Sequence, residues 1–200
     1  DGRGDPPLSD LGRAQAQAVA DRLGAHARAR AGVGGAIEAI YVTPLRRTSE
    51  TAAPLAARLG IDPAVEPGFV EISLGEWEGG FYRARIADRD PLAVEVFARQ
   101  RWDLIPGAES NEVVAERTGG ALRRVAAAHP GGLVVVVSHA VAIGTLLSQA
   151  TGASPFAFVL GDNANISRLV VDGERWLLRG YNDTAHLDGL RAELLEGVAH

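Results

Sequence analysis

A histidine directly follows the most apolar run of the chain. Leu133–Val137 is continuously apolar and rich in valine, which is typical of a central parallel strand covered on both faces, and Ser138 and His139 come directly after it. Ligands of parallel α/β proteins bind at the carboxyl ends of the strands, where the N–H groups of a following helix favour an anion. An imidazole at this point could donate a hydrogen bond to a phosphate and stabilise its charge. A core histidine that only caps the helix explains the same pattern equally well.

Two adjacent arginines follow a second apolar run. Ile37–Val42 is predicted as a strand, Thr43 and Pro44 open a turn, and Arg46 and Arg47 lie in the first turn of the next helix. Successive helical residues point about 100° apart, so the two arginines cannot both face the crevice. A guanidinium there could bind a phosphate through paired N–H groups. Two solvated surface arginines are the alternative, since charged side chains are mostly exposed.

Three glutamates share one short loop. Glu71 lies between the apolar residues Val70 and Ile72, and partial burial would raise its pKa and make it a candidate general acid. Glu76 and Glu78 follow in the same loop and compete for that role. The spacing does not choose among the three, and a solvated loop carboxylate is the commoner case.

The predicted strands and helices alternate along the chain. Apolar runs predict strands, and amphipathic patterns predict helices. The strands are at 37–42, 64–66 and 133–137, the helices are at 10–30, 45–59, 111–128 and 140–150, and a hairpin spans 166–178. This alternation predicts one α/β domain over residues 1–200, a three-layer α/β/α sandwich with a mostly parallel central sheet.

A polar helical excursion at 81–105 is predicted to form a lid over one face of the domain. Its residues Phe81, Tyr82, Arg83, Arg85 and Trp102 would then set the specificity for the substrate. A packed lid core explains the aromatic residues as well, and the sequence does not identify the substrate.

The composition excludes several classes of protein. The chain has 200 residues and a net charge of −5, which disfavours a nucleic-acid binder. It contains no cysteine, and hence neither a disulfide nor a thiolate metal site. No apolar run reaches the roughly 18 residues of a membrane span, so we expect none, and a cytoplasmic location is the default expectation.

Five segments together resemble the histidine phosphatase superfamily, which includes the phosphoglycerate mutases. Each segment is similar to one motif of that family, the order is the same, and together they cover most of the chain. They are D-P-P-L-S-D-L-G-R-A-Q-A at 5–16, T-P-L-R-R-T-S-E-T-A at 43–52, E-I-S-L-G-E-W-E-G at 71–79, P-G-A-E-S at 106–110 and V-V-V-V-S-H-A at 134–140. The W-E-G at 77–79 is more similar to the phosphatases of this family than to its glycolytic mutases.

The resemblance implies a role for three residues. Arg47 would bind the transferred phosphate, Glu71 would donate a proton to the leaving oxygen, and His139 would contact the phosphoryl group as the second active-site histidine. The family's nucleophile is a histidine in an R-H-G or R-H-A motif on the first strand, and it forms a phosphohistidine that water hydrolyses. No cofactor or metal is implied, and the chain shows no His/Asp spacing typical of a metal site.

The chain departs from the family pattern at that nucleophile. It contains no Arg-His pair, and none of His26, His129, His186 and His200 follows an apolar strand. We therefore expect the first strand and its histidine to lie upstream of Asp1, and the lack of any methionine favours this expectation.

Two other functions are left open by the sequence. One is phosphoryl transfer of the phosphoglycerate-mutase type, and the other is a non-catalytic domain that binds a phospho-ligand through Arg47 and His139. A dinucleotide-binding domain is disfavoured, because the glycines at 32, 34 and 35 precede a strand instead of following it. We expect a small phosphorylated substrate and neither a nucleic-acid nor a membrane partner, and we leave open a homodimer.

Overall fold

A computed structural model describes residues 4–29 and 35–190 of the chain. The helices are α1 (Asp10–Ala29), α2 (Arg46–Leu59), α3 (Phe81–Ala87), α4 (Pro91–Arg99), α5 (Asn111–Ala128) and α6 (Ala140–Thr151). The strands are β1 (Ile37–Val42), β2 (Ala64–Val65), β3 (Leu133–Val137), β4 (Ile166–Asp172) and β5 (Arg175–Asp183). None of these helices is both long and apolar enough to cross a membrane. The predicted elements are thus present, and the excursion contains two helices, α3 and α4.

The strand β1 is the middle strand of a three-stranded parallel sheet with the order β2-β1-β3. Alternate residues of a strand face opposite sides of its sheet. Ile40 and Val42 accordingly pack with α1 and α2, whereas Tyr41 packs with α5 and α6. The predicted three-layer α/β/α sandwich is confirmed, with one apolar core on each side of the sheet.

The strand β3 lies at an edge of this sheet, whereas its apolar sequence predicts a central strand covered on both faces. All five residues of β3 are only partly buried. Within residues 4–29 and 35–190, no strand pairs with the edge of β3 opposite β1, and β4 and β5 form a separate antiparallel hairpin. In the described residues β3 is therefore covered less than its valine-rich sequence predicts.

The excursion at 81–105 packs around aromatic residues. Trp102 is buried, and its ring stacks on Phe156 with the ring centroids 4.4 Å apart. Tyr82 and Phe97 also contact the Trp102 ring. The same apolar cluster includes Val141 of α6, so the excursion shares a core with the sandwich. Trp102 therefore belongs to a packed core. For this residue the structure favours the packed-core explanation over a role in substrate specificity.

A glycine allows the loop that carries Glu71 to touch the loop at 106–108. Gly75 has a positive φ of 55°, and the N–H of Glu76 donates to the carbonyl oxygen of Pro106 at 3.0 Å. A Cβ at Gly75 would lie 2.2 Å from that carbonyl oxygen. The two backbones therefore approach this closely because residue 75 has no side chain.

Replacing Gly75 by alanine is expected to destabilise the protein by more than backbone strain alone. Gly173, in the hairpin turn, provides the control, because its φ is also positive at 57° but its Cβ position has nothing within 4 Å. We expect Gly173→Ala to cost about 1–2 kcal/mol and Gly75→Ala about 3 kcal/mol or more, because the loops must also separate. Urea unfolding measures both values, and equal losses would contradict the importance of the loop contact.

Candidate active site

The ends of β1 and β3 bring a threonine and the predicted histidine into contact. Because the two strands are parallel, their carboxyl ends lie at the same edge of the sheet. Thr43 follows β1, His139 follows β3, and the Thr43 Oγ1 atom lies 2.9 Å from the His139 Nε2 atom. Both residues are buried, with 0% and 8% of their surface exposed. His139 thus lies at the strand ends, where the sequence places it, and its role stays a prediction.

The side chain of His139 is directed to Thr43 and does not cap α6. His139 is the residue before the helix, but its side chain makes no capping hydrogen bond. Thr43 is fixed in turn by Thr48, whose Oγ1 accepts from the N–H of Thr43 at 3.1 Å and donates to the carbonyl oxygen of Leu45 at 2.8 Å. In the sequence Thr43 has only the pattern of a turn residue. The one feature of the sequence that could have indicated Thr43 is its position directly after a predicted strand. His139 has a similar position, one residue further from the end of its strand.

Arg47 is directed toward this crevice, and Arg46 is directed elsewhere. The guanidinium of Arg47 lies close enough to the His139 imidazole to lower its pKa. Arg46 is more exposed and is paired with Glu50 along α2. The two arginines therefore differ in direction, as helical geometry predicts.

Asp5 shows that the start of α2 accepts an anion. Its Oδ2 accepts a hydrogen bond from the N–H of Arg46 at 2.8 Å, and its Oδ1 lies 3.7 Å from the guanidinium of Arg47. The N–H groups in the first turn of a helix lack partners within the helix, and the helix dipole there favours negative charge. Asp5 is part of the segment at 5–16 that resembles the family, but nothing in the sequence indicates this contact.

Burial and two arginines hold His139 in its neutral form. Burial is the larger cause, followed by Arg47 and Arg117, and together they lower the pKa of the imidazole to about 3, although Asp5 opposes them. At pH 7 one ring nitrogen therefore carries a proton and the other accepts. A phosphate dianion beside the ring would counteract the arginines and raise the pKa of His139.

Glu71 lies against the first turn of α6. Its Oε1 accepts hydrogen bonds from the N–H groups of Ile72 at 3.0 Å and Ala142 at 3.2 Å. Its Oε2 accepts from the N–H of Val141 at 3.3 Å. The carboxylate thus provides the capping acceptor that the His139 side chain does not provide. Glu71 and His139 therefore both lie at the start of α6.

Two opposing effects act on the proton of Glu71. Burial raises the pKa of the carboxyl above its ordinary value, and the N–H donors and Arg47 oppose burial without cancelling it. Glu71 therefore keeps its proton to a higher pH than a solvated glutamate does. Burial and, less strongly, the charge of Glu71 also raise the pKa of the hydroxyl of Tyr82, whose ring packs beside Trp77 and Trp102.

The other two glutamates of the loop have different surroundings. Glu76 is exposed. Glu78 Oε1 accepts from the hydroxyl of Ser73 at 2.8 Å and from the N–H of Leu74 at 3.2 Å, so this carboxylate holds the loop itself. Of the three competing candidates, Glu71 is the one that the structure places beside α6.

The assembled crevice combines an anion site with an acid. The Arg47 guanidinium and the start of α2 hold a carboxylate, and the pKa of Glu71 responds to the same guanidinium. In the part of the chain that the structure describes, no group of three His, Cys, Asp or Glu residues could hold a metal ion. The described side chains can therefore bind an anion and supply a proton to it.

This chain matches a known superfamily and is similar to several known proteins. The histidine phosphatase superfamily (branch 1) matches residues 1–184 of this chain. Phosphoglycerate mutase-like protein 4 of Arabidopsis thaliana is 33% identical over 188 residues, which cover 92% of this chain and 77% of that protein. The metal-independent phosphoserine phosphatase of the same plant is 29% identical over 192 residues, which cover 94% of this chain and 76% of that protein. A solved mycobacterial glucosyl-3-phosphoglycerate phosphatase superposes with a TM-score of 0.74 at 27% identity, over 92% of each chain.

The matched region includes the whole of the crevice. Arg47, Glu71 and His139 all lie within residues 1–184, and so do Asp5 and Thr43. The sandwich fold agrees with the solved structure over nearly the full length of the chain. The chain belongs to the histidine phosphatase superfamily, branch 1.

Proposed function

We propose that this protein is a phosphatase that hydrolyses a small phosphomonoester through a phosphohistidine intermediate. The observation that carries the proposal is that Glu71 and His139 both lie at the start of α6, with the Arg47 guanidinium near enough to affect the pKa of each. Membership of the superfamily supports it, and two of the similar proteins are named as phosphatases.

Each of the three residues has a distinct part in this proposal. Arg47 and His139 would donate N–H groups to the oxygens of the phosphoryl group, over which negative charge is spread in the transition state. Glu71, whose pKa burial raises, would give its proton to the ester oxygen as the bond to phosphorus breaks.

The bond changes of the proposed reaction balance in two steps. A histidine nitrogen attacks phosphorus, the P–N bond forms, the P–O ester bond breaks, and the leaving oxygen takes the proton of Glu71. Water then attacks phosphorus while the ionised Glu71 takes its proton. The P–N bond breaks, inorganic phosphate leaves, and the histidine and Glu71 return to their starting forms.

We place the nucleophilic histidine upstream of Asp1, on a strand that would pair with β3. Two features support this placement. The valine-rich β3 is only partly buried, and the edge opposite β1 has no partner in the described residues. A parallel strand at that edge would end beside His139, because the carboxyl ends of parallel strands lie together.

Two alternative functions would use the same crevice. Transfer of the mutase type would return the phosphoryl group to the substrate, and the name of one Arabidopsis relative favours it. A non-catalytic domain would only bind a phosphorylated ligand. The resemblance of Trp77–Gly79 to the phosphatases of the family favours hydrolysis. A small phosphorylated molecule is the proposed ligand in all three cases, and a homodimer stays a prediction.

The complete protein, expressed from its natural start, is expected to hydrolyse p-nitrophenyl phosphate and to form an acid-labile phosphohistidine. His139→Ala should lower kcat/KM by about 100-fold or more, the usual effect of removing a group that stabilises transition-state charge. The control is His26→Ala, because His26 is exposed on α1. Rapid quenching detects the phosphoenzyme, and nitrophenolate release measures turnover. Phosphate binding without turnover or phosphoenzyme would contradict the proposal and favour the non-catalytic domain.

Arg47→Met is expected to weaken inhibition by inorganic phosphate, whereas Arg46→Met serves as the matched control. A hydrogen bond to a charged group contributes about 1.5–3 kcal/mol, so the inhibition constant should rise about 10- to 100-fold for Arg47→Met. Arg46 is paired with Glu50 and should change the constant by less than about threefold, as expected for an exposed pair. Equal changes in the two variants would contradict the proposed role of Arg47.

The pH dependence of kcat/KM with phenyl phosphate is expected to report the proton of Glu71. A proton donor must be protonated, so kcat/KM should fall as pH rises through the raised pKa of Glu71. Because the pKa is raised, this fall should occur above the ordinary value of 4.5. Glu71→Gln should remove the fall, and Glu76→Gln, which changes an exposed glutamate of the same loop, should keep it. A fall that persists in Glu71→Gln would assign it to another group.

A further inference from the structure

An ion pair between α5 and the loop at 106–110 lies beside the loop that carries Glu71. Arg117 donates from Nε to Glu109 Oε1 at 2.8 Å and from Nη2 to Glu109 Oε2 at 2.9 Å. This two-point contact fixes the plane of the guanidinium. The side chains are 20% and 23% exposed, whereas the arginine of the Arg124–Glu66 pair on the same helix is 61% exposed. The pair is therefore well shielded from solvent.

Arg117 fixes the backbone directly before Glu71. Its Nη1 donates to the carbonyl oxygens of Gly68 at 3.1 Å and Val70 at 2.6 Å. Gly68 permits this close approach, because a Cβ there would lie 2.7 Å from the Cβ of Ala121 and 3.0 Å from the carbonyl oxygen of Arg117. The chain leading into Glu71 is thus held against α5.

Glu109 fixes the backbone two residues after Glu71. Its Oε2 accepts from the N–H of Ser73 at 2.8 Å, and its own N–H donates to the carbonyl oxygen of Ser73 at 2.9 Å. The same carboxylate binds Arg117, so one ion pair connects the two segments that flank Glu71. The P-G-A-E-S segment at 106–110 therefore has a structural link to the acid loop.

We propose that the Arg117–Glu109 pair positions Glu71 as the proton donor of the reaction. This inference rests on the function proposed above. The hydrogen bonds that Glu71 accepts from the N–H groups of α6 are long, at 3.2 and 3.3 Å, and do not by themselves fix the carboxyl tightly. The short backbone contacts on both sides of Glu71 supply the missing constraint. A proton donor displaced by about 1 Å can lose much of its effect on the rate.

A direct effect of the Arg117 charge on the phosphoryl group is the competing explanation. Arg117 lies near enough to His139 to lower its pKa, so its charge reaches the crevice. That charge is balanced by Glu109, and the guanidinium is directed at the loop. A charge effect would slow all esters alike. A misplaced proton donor would slow only the esters whose leaving oxygen needs a proton.

The test compares kcat/KM for two esters in the complete protein. Nitrophenolate leaves p-nitrophenyl phosphate without needing a proton, whereas the phenolate of phenyl phosphate is basic, with a pKa of about 10 like that of tyrosine. The variants are Arg117→Met and Glu109→Gln, with Glu71→Gln as the reference. Arg124→Met is the matched control, because Arg124 lies on the same helix as Arg117 and also pairs with a glutamate, Glu66.

Arg117→Met and Glu109→Gln are expected to share the pattern of Glu71→Gln. Each should lower kcat/KM about 10- to 100-fold more for phenyl phosphate than for p-nitrophenyl phosphate. Arg117→Lys should recover part of the lost activity, because an ammonium can bind Glu109 but lacks the planar fork that reaches both carboxylate oxygens. The control Arg124→Met should leave the ratio of the two esters unchanged.

Two results would overturn the inference, and they are distinguishable. Equal losses on both esters in Arg117→Met and Glu109→Gln, beside a selective loss in Glu71→Gln, would remove the positioning role and leave the proposed function standing. The absence of a selective loss in Glu71→Gln would show that Glu71 is not the proton donor, and both proposals would fail. If urea unfolding shows that Arg117→Met does not fold, Glu109→Gln and Arg117→Lys decide the question.

Discussion

The placement of the Glu71 carboxylate against the first turn of α6 is the constraint on which the rest of the site depends. A helix start needs acceptors for its N–H groups, and His139, at the usual capping position, turns to Thr43 instead. Glu71 supplies the acceptor from a loop 70 residues earlier in the chain. The helix N–H groups favour the ionised carboxyl and burial favours the protonated one, with burial the larger effect. The contact thereby joins the acid loop to α6, while burial keeps the carboxyl protonated to a higher pH than in water.

Polar contacts also join the remaining elements around this point. Thr48 holds Thr43 at the end of β1, and the Ser138 hydroxyl donates to the carbonyl oxygen of Phe69 at 2.7 Å, which ties the end of β3 to the start of the acid loop. Leaving a buried group such as Thr43 or Thr48 unpaired costs about 1–3 kcal/mol, so the contact between them strongly favours the observed arrangement. The apolar layers on either side of the sheet supply most of the driving force for folding, while these bonds select the geometry of the crevice.

The sequence predicts the elements more completely than their contacts. Helices and strands follow from local signals, such as apolar periodicity and the Ser110 cap of α5. His139 and Arg47 could be placed at the sheet edge because parallel strands end together. The contacts of Asp5 and Thr43 could not be predicted, because they join distant segments and depend on side-chain direction. The sequence predicts β3 as a central strand, and in the described residues it pairs with β1 alone, because the strand proposed to cover its other edge would lie upstream of Asp1.

If phosphate binds at Arg47 as proposed, the carboxylate of Asp5 makes that binding an exchange of one anion for another. It already accepts from the N–H of Arg46 and faces the guanidinium of Arg47, so an incoming phosphate must displace it or share these donors. The net free energy of association is then smaller than the new contacts alone would give. In the proposed reaction the same exchange would act in reverse on inorganic phosphate, because Asp5 would regain its donors as the product leaves. An internal competitor at this position would therefore limit product inhibition and favour rapid release over tight binding.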